Sequence, residues 1–224
     1  MTPAVEIDAL TKVFEVGFLR KRPVTALDSL TLTVDREQIF GFLGPNGAGK
    51  TTTLKLLVGL LRPTSGSARV LGEPIAHVAM HQKIGFLPEQ ANFYDNLTAR
   101  ELVTYYGELA NVDRAVLAKR VPELLDRVGL EAKAFDRRLR KFSKGMLQRV
   151  GLAQAIVHDP ELVFLDEPMS GLDPIGRRHV RDLILDLRAS GKTVFFSSHI
   201  LSDVEALCDR VAILNQGRLV GEGL

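Results

Sequence analysis

The chain is poor in cysteine, in net charge and in long apolar runs, and each scarcity removes a class of protein. Cys208 is the single cysteine among 224 residues. An intramolecular disulfide is therefore excluded, as is any zinc site built on several cysteines of one chain. A chain with one thiol suits a reducing cytosol. Lys and Arg number 29 against 27 Asp and Glu, a formal charge of +2. That balance argues against a nucleic-acid partner held by bulk charge. No run approaches the ~20 apolar residues of a membrane span. The opening MTPAVEIDAL lacks the basic-then-apolar order of a signal peptide. Whatever the chain does at a membrane, it does not cross one alone.

What is present is ordinary for a globular protein: 46% hydrophobic and 25% charged residues, with no fixed-period repeat. A chain this long buries about 70% of its unfolded surface, enough for one large domain or a domain with an insertion. Val5–Phe14 and Ser29–Val34 alternate apolar and polar residues, the pattern of half-buried strands, with a loop at residues 17–23 between them. Ile39–Leu43 is a short apolar run that stops at Gly44, as a buried strand does. Leucines at 54, 57, 60 and 61 predict a helix over Thr51–Leu61. Strands are predicted at Ser67–Leu71, Ile84–Leu87, Leu162–Leu165 and Thr193–Phe196, with a hairpin of Val211–Leu214 and Arg218–Val220. Helices are predicted at Leu97–Leu109, Arg114–Val128, Ser143–His158, Ile175–Ala189 and Leu201–Cys208, with Asn96 and Ser143 as N-caps. Strands alternating with helices predict a parallel sheet covered on both faces, interrupted by a helical insertion at about 92–158.

Two motifs carry chemistry. GPNGAGKT (Gly44, Pro45, Asn46, Gly47, Ala48, Gly49, Lys50 and Thr51) lies between a buried strand and a helix, where the GxxxxGK[ST] phosphate loop belongs. Its glycines let backbone N–H groups curl around phosphate oxygens, and the helix N-terminus adds positive charge. Lys50 reaches β and γ phosphates, Thr51 ligates Mg²⁺, and Thr52 extends the loop's hydroxyl run. LVFLDEP ends an apolar strand in Asp166 and Glu167, at the strand end where open α/β sheets bind ligands. Asp166 is a candidate Mg²⁺ holder, and Glu167 is placed to polarise an attacking water.

With these two motifs the chain resembles the nucleotide-binding subunit of an ATP-binding cassette (ABC) transporter over nearly its whole length. The resemblance implies a phosphate-loop NTPase (RecA-like) α/β core with an N-terminal antiparallel β subdomain and an inserted helical subdomain, all in one ATPase domain. Gln90, ending LPEQ, matches the glutamine that contacts Mg²⁺ and attacking water and senses a transmembrane partner. FSKGMLQR resembles the family signature LSGGQ: Ser143 and Gly145 match, Lys144 replaces a glycine and Met146 the glutamine. That serine and its helix N-terminus would bind the γ-phosphate of ATP held by a second subunit. Asp173 of SGLDP would face that subunit, and His199 after TVFFSS matches the histidine that bonds the γ-phosphate. Phe14 best fits the aromatic that stacks on adenine, with Phe18 the alternative.

The implied activity is ATP hydrolysis powering export of an unidentified substrate. The implied partners are a transmembrane permease and a second ATP-binding subunit, forming a homodimer on ATP binding with no nucleic acid involved. The implied place is the cytoplasmic face of the membrane, and further helix is expected beyond Leu224. The forms SKGM and DEPMSGLDP resemble exporters of the ABC-2 type. A soluble cassette ATPase of repair or translation is the alternative, but such proteins carry two cassettes or long coiled coils in the insertion. A GTPase would need an NKxD-type base motif, which is missing. His77 and His81 lack the Glu of HExxH and read as surface residues, Cys208 reads as packing, and Arg20–Arg22 and Arg137–Lys141 read as solvated faces.

Overall fold

The computed structural model describes residues 2–17 and 21–223. Its elements are β1 (Val5–Val16), β2 (Arg22–Val34), β3 (Ile39–Leu43), α1 (Lys50–Leu57), β4 (Ser65–Val70), β5 (Glu73–Pro74) and β6 (Ile84–Leu87). The helical stretch follows as α2 (Ala99–Leu109), α3 (Arg114–Arg127) and α4 (Lys144–Ile156). The chain then returns through β7 (Leu162–Asp166), α5 (Pro174–Ala189), β8 (Thr193–Ser198), α6 (Leu201–Glu205), β9 (Arg210–Asn215) and β10 (Arg218–Gly223). Strands β2-β1-β4-β5 form an antiparallel sheet, and β10-β9-β3-β8-β7-β6 form a mixed one. In the second, β9, β3, β8, β7 and β6 pair in parallel and β10 closes the edge antiparallel.

The central strands are apolar on both sides because both sides are covered. Alternation sends Phe40, Phe42, Phe164 and Phe195 toward α1 and the antiparallel sheet. It sends Ile39, Val163, Leu165, Val194 and Phe196 toward the core shared with α4 and α5. Phe195 lies 5.1 to 5.6 Å, centroid to centroid, from the other three phenylalanines of its face. Burying each such ring stabilises the fold by roughly 1.5–3 kcal/mol, which fixes the register of the strands that end at the site. Leu43 is paired with Ser198, and Asp166 with Ser197, so the loops leaving β3, β7 and β8 emerge side by side.

Several expectations are corrected. The first hairpin is longer than the alternation suggests: β1 runs to Val16, which pairs with Arg22, and Pro23 lies within β2 opposite Glu15. Pro23 suggests a loop, yet β2 is the edge of its sheet, where a residue without an N–H is tolerated. Phe18 and Arg20 lie outside the described residues. Helix α1 starts one residue earlier and ends at Leu57, four residues early, where the chain reaches Gly59 at φ 74°. Helix α6 stops at Glu205. Helix α2 is capped by Thr98 rather than Asn96. The Thr98 hydroxyl accepts from the Glu101 N–H at 3.1 Å, and the Glu101 carboxylate accepts from the Thr98 N–H at 2.8 Å. His77 precedes a short 3₁₀ turn and His81 lies within it; both are exposed, pairing with Glu73 and with the Val58 carbonyl. Among the described residues no cluster of three or more His, Cys, Asp or Glu could hold a metal ion by itself.

Cys208 packs against the core, and a Cβ on Gly41 would stand 2.5 Å from its sulfur. Burial, with help from Asp209, pushes the thiol up to about 12. At pH 8 the thiolate fraction is then roughly one in ten thousand, so alkylation of the folded chain by iodoacetamide is expected to be slow and to become fast in urea. Thr98→Ala is expected to cost about 1 kcal/mol in urea unfolding, and Asn96→Ala to leave the midpoint unchanged.

Candidate functional site

The phosphate-loop residues wrap a hollow of about 500 Å³ lined by residues 46–52, Ala26, Glu89 and Glu167. The loop is fastened at its base, where Gly44 N–H donates to Ser198 O at 3.2 Å and Gly217 N–H to Ala48 O at 2.9 Å. A Cβ on Gly49 would stand 2.5 Å from the Ala26 carbonyl, and Gly49 adopts φ 106° as it starts α1. Glycine is required there on both counts.

Lys50 is 6% exposed, and its ammonium donates to Gly44 O at 2.7 Å and to Pro45 O at 3.3 Å. It also stands 3.2 Å from Glu167 Oε1, an ion-pair distance without hydrogen-bond geometry, since that oxygen has no bonding partner. The opposite oxygen, Oε2, is 2.9 Å from His199 Nδ1. Glu167 itself sits at φ 51°, left-handed backbone that a non-glycine residue occupies only at a cost of about 1–3 kcal/mol. Asp166 is fully buried: Oδ1 accepts from the Ser197 hydroxyl at 2.7 Å, and Oδ2 has no partner. The Ser197 hydroxyl also accepts from Glu167 N–H at 3.0 Å, so one side chain holds both acidic residues.

The site thus buries two carboxylates against one ammonium. Buried charges are paired or coordinate metals. Asp166 offers an unpartnered, fully buried carboxylate oxygen, and Thr51 and Thr52 offer hydroxyls in the phosphate hollow; hard oxygen donors of this kind are what Mg²⁺ takes when phosphates complete its shell. These residues fit the metal.

A family model described as ABC transporter matches residues 27–170. The chain is 51% identical over 224 residues to an uncharacterized ABC transporter ATP-binding protein of Nostoc sp. (strain PCC 7120), covering 99% of this chain and 67% of that protein. It is 38% identical over 221 residues to the Nod factor export ATP-binding protein I of Cupriavidus pinatubonensis, covering 97% and 68%. Among solved structures, the dimeric post-hydrolysis state of an ATP-binding cassette bound to ADP and Pi superposes with a TM-score of 0.90 at 25% identity, over 98% of this chain and 97% of that one. The chain belongs to the ABC transporter family. It spans about two thirds of the length of these curated relatives.

The remaining family-matched residues of this ABC chain lie away from the phosphate hollow. Gln90 is exposed and lines an adjoining hollow of about 340 Å³ with Lys144 and Gln148, whereas its neighbour Glu89 borders both hollows. Ser143 caps α4, its hydroxyl accepting from Met146 N–H at 3.2 Å. Lys144 is exposed, and Gly145 follows in the first turn. The aliphatic end of Lys144 lies along Gly171, whose added Cβ would meet it at 3.3 Å. Asp173 is exposed and caps α5, accepting from Gly176 N–H at 2.9 Å. Phe14 is half-buried on β1 opposite Val24 and outside both apolar clusters, with the Lys12 ammonium 5.0 Å from its ring centroid.

Sequence reading missed Ser197. Its signal was the serine pair closing TVFFSS, which gains meaning only when β8 is paired with β7. Ser197→Ala strips partners from Asp166 Oδ1 and Glu167 N–H together. It is expected to destabilise the ABC fold by about 1–3 kcal/mol in urea unfolding.

Proposed function

We propose that the chain is the ATP-binding and ATP-hydrolysing subunit of an exporter, working as an ATP-closed homodimer at the cytoplasmic face of a membrane through a separate permease. The observation that carries this reading is the meeting of Lys50, Glu167 and His199 at the ends of β3, β7 and β8. Such convergence is what phosphoryl transfer to water needs: a phosphate cradle, a base and a γ-phosphate contact in one place.

In this reading the residues 44–52 wrap the phosphates with backbone N–H groups. Lys50 exchanges the Gly44 and Pro45 carbonyls and Glu167 for phosphate oxygens. That exchange frees Glu167 Oε1, which takes a proton from the water attacking the γ-phosphorus while the bond to the ADP oxygen breaks. His199 holds Glu167 from the other side and donates toward the γ-phosphate. Thr51 and Asp166 would hold Mg²⁺, which neutralises phosphate charge when bound, and Gln90 would join them only by turning in from the adjoining hollow. Phe14 stacks on adenine. Ser143, Lys144, Gly145 and Asp173 do not line this hollow, as expected of residues serving the other subunit's ATP. The dimeric assembly of the similar cassette supports that arrangement.

The permease is assigned to the hollow of about 760 Å³ between the 3₁₀ turn after β5 and α2, where Leu60, Val78, Phe93 and Leu109 present apolar surface. It adjoins residues 88–92, so a docked segment would touch the Gln90 loop directly. Export direction follows the name of the Nod factor export relative and the SKGM signature.

Glu167→Gln is expected to lower phosphate release by at least about a hundredfold. ATP should then trap the variant as a dimer on size-exclusion chromatography. Turnover at the parental rate would remove the general-base assignment. Lys50→Ala is expected to weaken ATP binding and abolish turnover; unchanged nucleotide affinity would remove the phosphate-loop assignment.

A further inference from the structure

We propose that Arg177 and Asp203 are positioning residues that set the His199–Glu167 contact from outside the phosphate hollow. The inference rests on the reading of Glu167 as the base. His199 is 41% exposed in its side chain, and among the described residues its one side-chain hydrogen bond is the 2.9 Å contact to Glu167. Something must hold the short segment that carries it. Asp203 lies four residues further on, in α6, and is buried in the same small hollow as Glu167, Ser197 and His199.

Both oxygens of Asp203 are taken by Arg177 Nη2, at 2.6 and 2.7 Å. The pair is partly shielded, with side-chain exposures of 33% and 11%. Arg177 belongs to the first turn of α5. Its N–H donates to Asp173 O at 2.9 Å, directly beneath the Asp173 cap. The turn leading to Asp173 starts at Glu167 itself, whose carbonyl accepts from Ser170 N–H at 3.0 Å. Contacts and chain together close a ring: Glu167, the 168–172 turn, Asp173, Arg177, Asp203, the segment 200–202 whose Ile200 carbonyl accepts from Asp203 N–H, His199, and back to Glu167. Without the ion pair the ring is open, and the His199–Glu167 contact loses its support from α5.

A second ion pair at the far end of the same helix gives an internal control. Arg188 Nη2 meets Asp209 Oδ1 at 2.6 Å, and Asp209 holds the Ile39 N–H, remote from Glu167. Both pairs tie α5 to the segment around α6, and only the first belongs to the ring. A purely structural role predicts equal consequences for the two. A positioning role predicts a loss of kcat at the first alone.

The test uses the full-length protein with its permease in membrane vesicles. ATP hydrolysis is measured for the parent, Asp203→Asn, Arg177→Met, Arg188→Met and the reversal R177D/D203R. Small displacements of catalytic groups are costly, so D203N and R177M are expected to lose about tenfold in kcat with KM for ATP within about twofold. Arg188→Met should keep parental kcat. The reversal, which retains opposite charges, should recover most of the loss, and it stands alone as the test if the single variants fail to accumulate. Parental kcat in D203N, an equal loss in R188M, or a folded reversal with no recovery would each overturn the inference. A parent that does not hydrolyse ATP would instead remove the reading of the site on which it rests.

Discussion

The parallel register of β3, β8 and β7 is the constraint on which the rest depends. Leu43, Ser198 and Asp166 end their strands at one edge, and each is followed immediately by a residue the chemistry needs: Gly44, His199 and Glu167. A slip of one residue in any strand would turn its apolar set to the wrong face. The phenylalanines of one face and the aliphatic residues of the other resist that slip. The site therefore inherits the placement of its strand ends from the core, and side-chain contacts such as those of Ser197 adjust what that placement brings together.

Charge then decides what the site can accept. Lys50, Asp166 and Glu167 are all nearly buried, and an unpaired buried charge is costly. The lysine answers part of that cost by lying between the loop's own carbonyls and Glu167. Ser197 answers part of it for Asp166. One carboxylate oxygen on each acidic residue stays without a hydrogen bond. The protein groups of the site are thus short of positive charge, with the lysine already engaged. Ligands that bring a cation with their phosphates relieve both conditions together.

Much of this was legible because the motifs are local. The phosphate loop, the Asp166–Glu167 step and the strand before His199 are each contiguous, and each sits at the end of an apolar run. The Thr98 cap was also legible in principle, since TARE carries the S/T-x-x-E spacing, but Asn96 offered a nearer competing cap. The first half of β2 was hidden by Pro23, whose meaning depends on whether a strand lies at an edge. Ser197 and the Arg177–Asp203 pair were out of reach for another reason. The first needs the pairing of strands, and the second joins residues 26 positions apart with no periodicity to link them.

Glu167 carries a left-handed backbone where glycine or asparagine would sit more easily. Replacing it with glycine or asparagine relieves that strain and removes one of two carboxylates buried against a single ammonium. Fitness for heat and fitness for work therefore pull in opposite directions at this position. A search that ranks variants by thermal endurance alone would favour exchanges here and collect sturdier molecules that have lost their purpose.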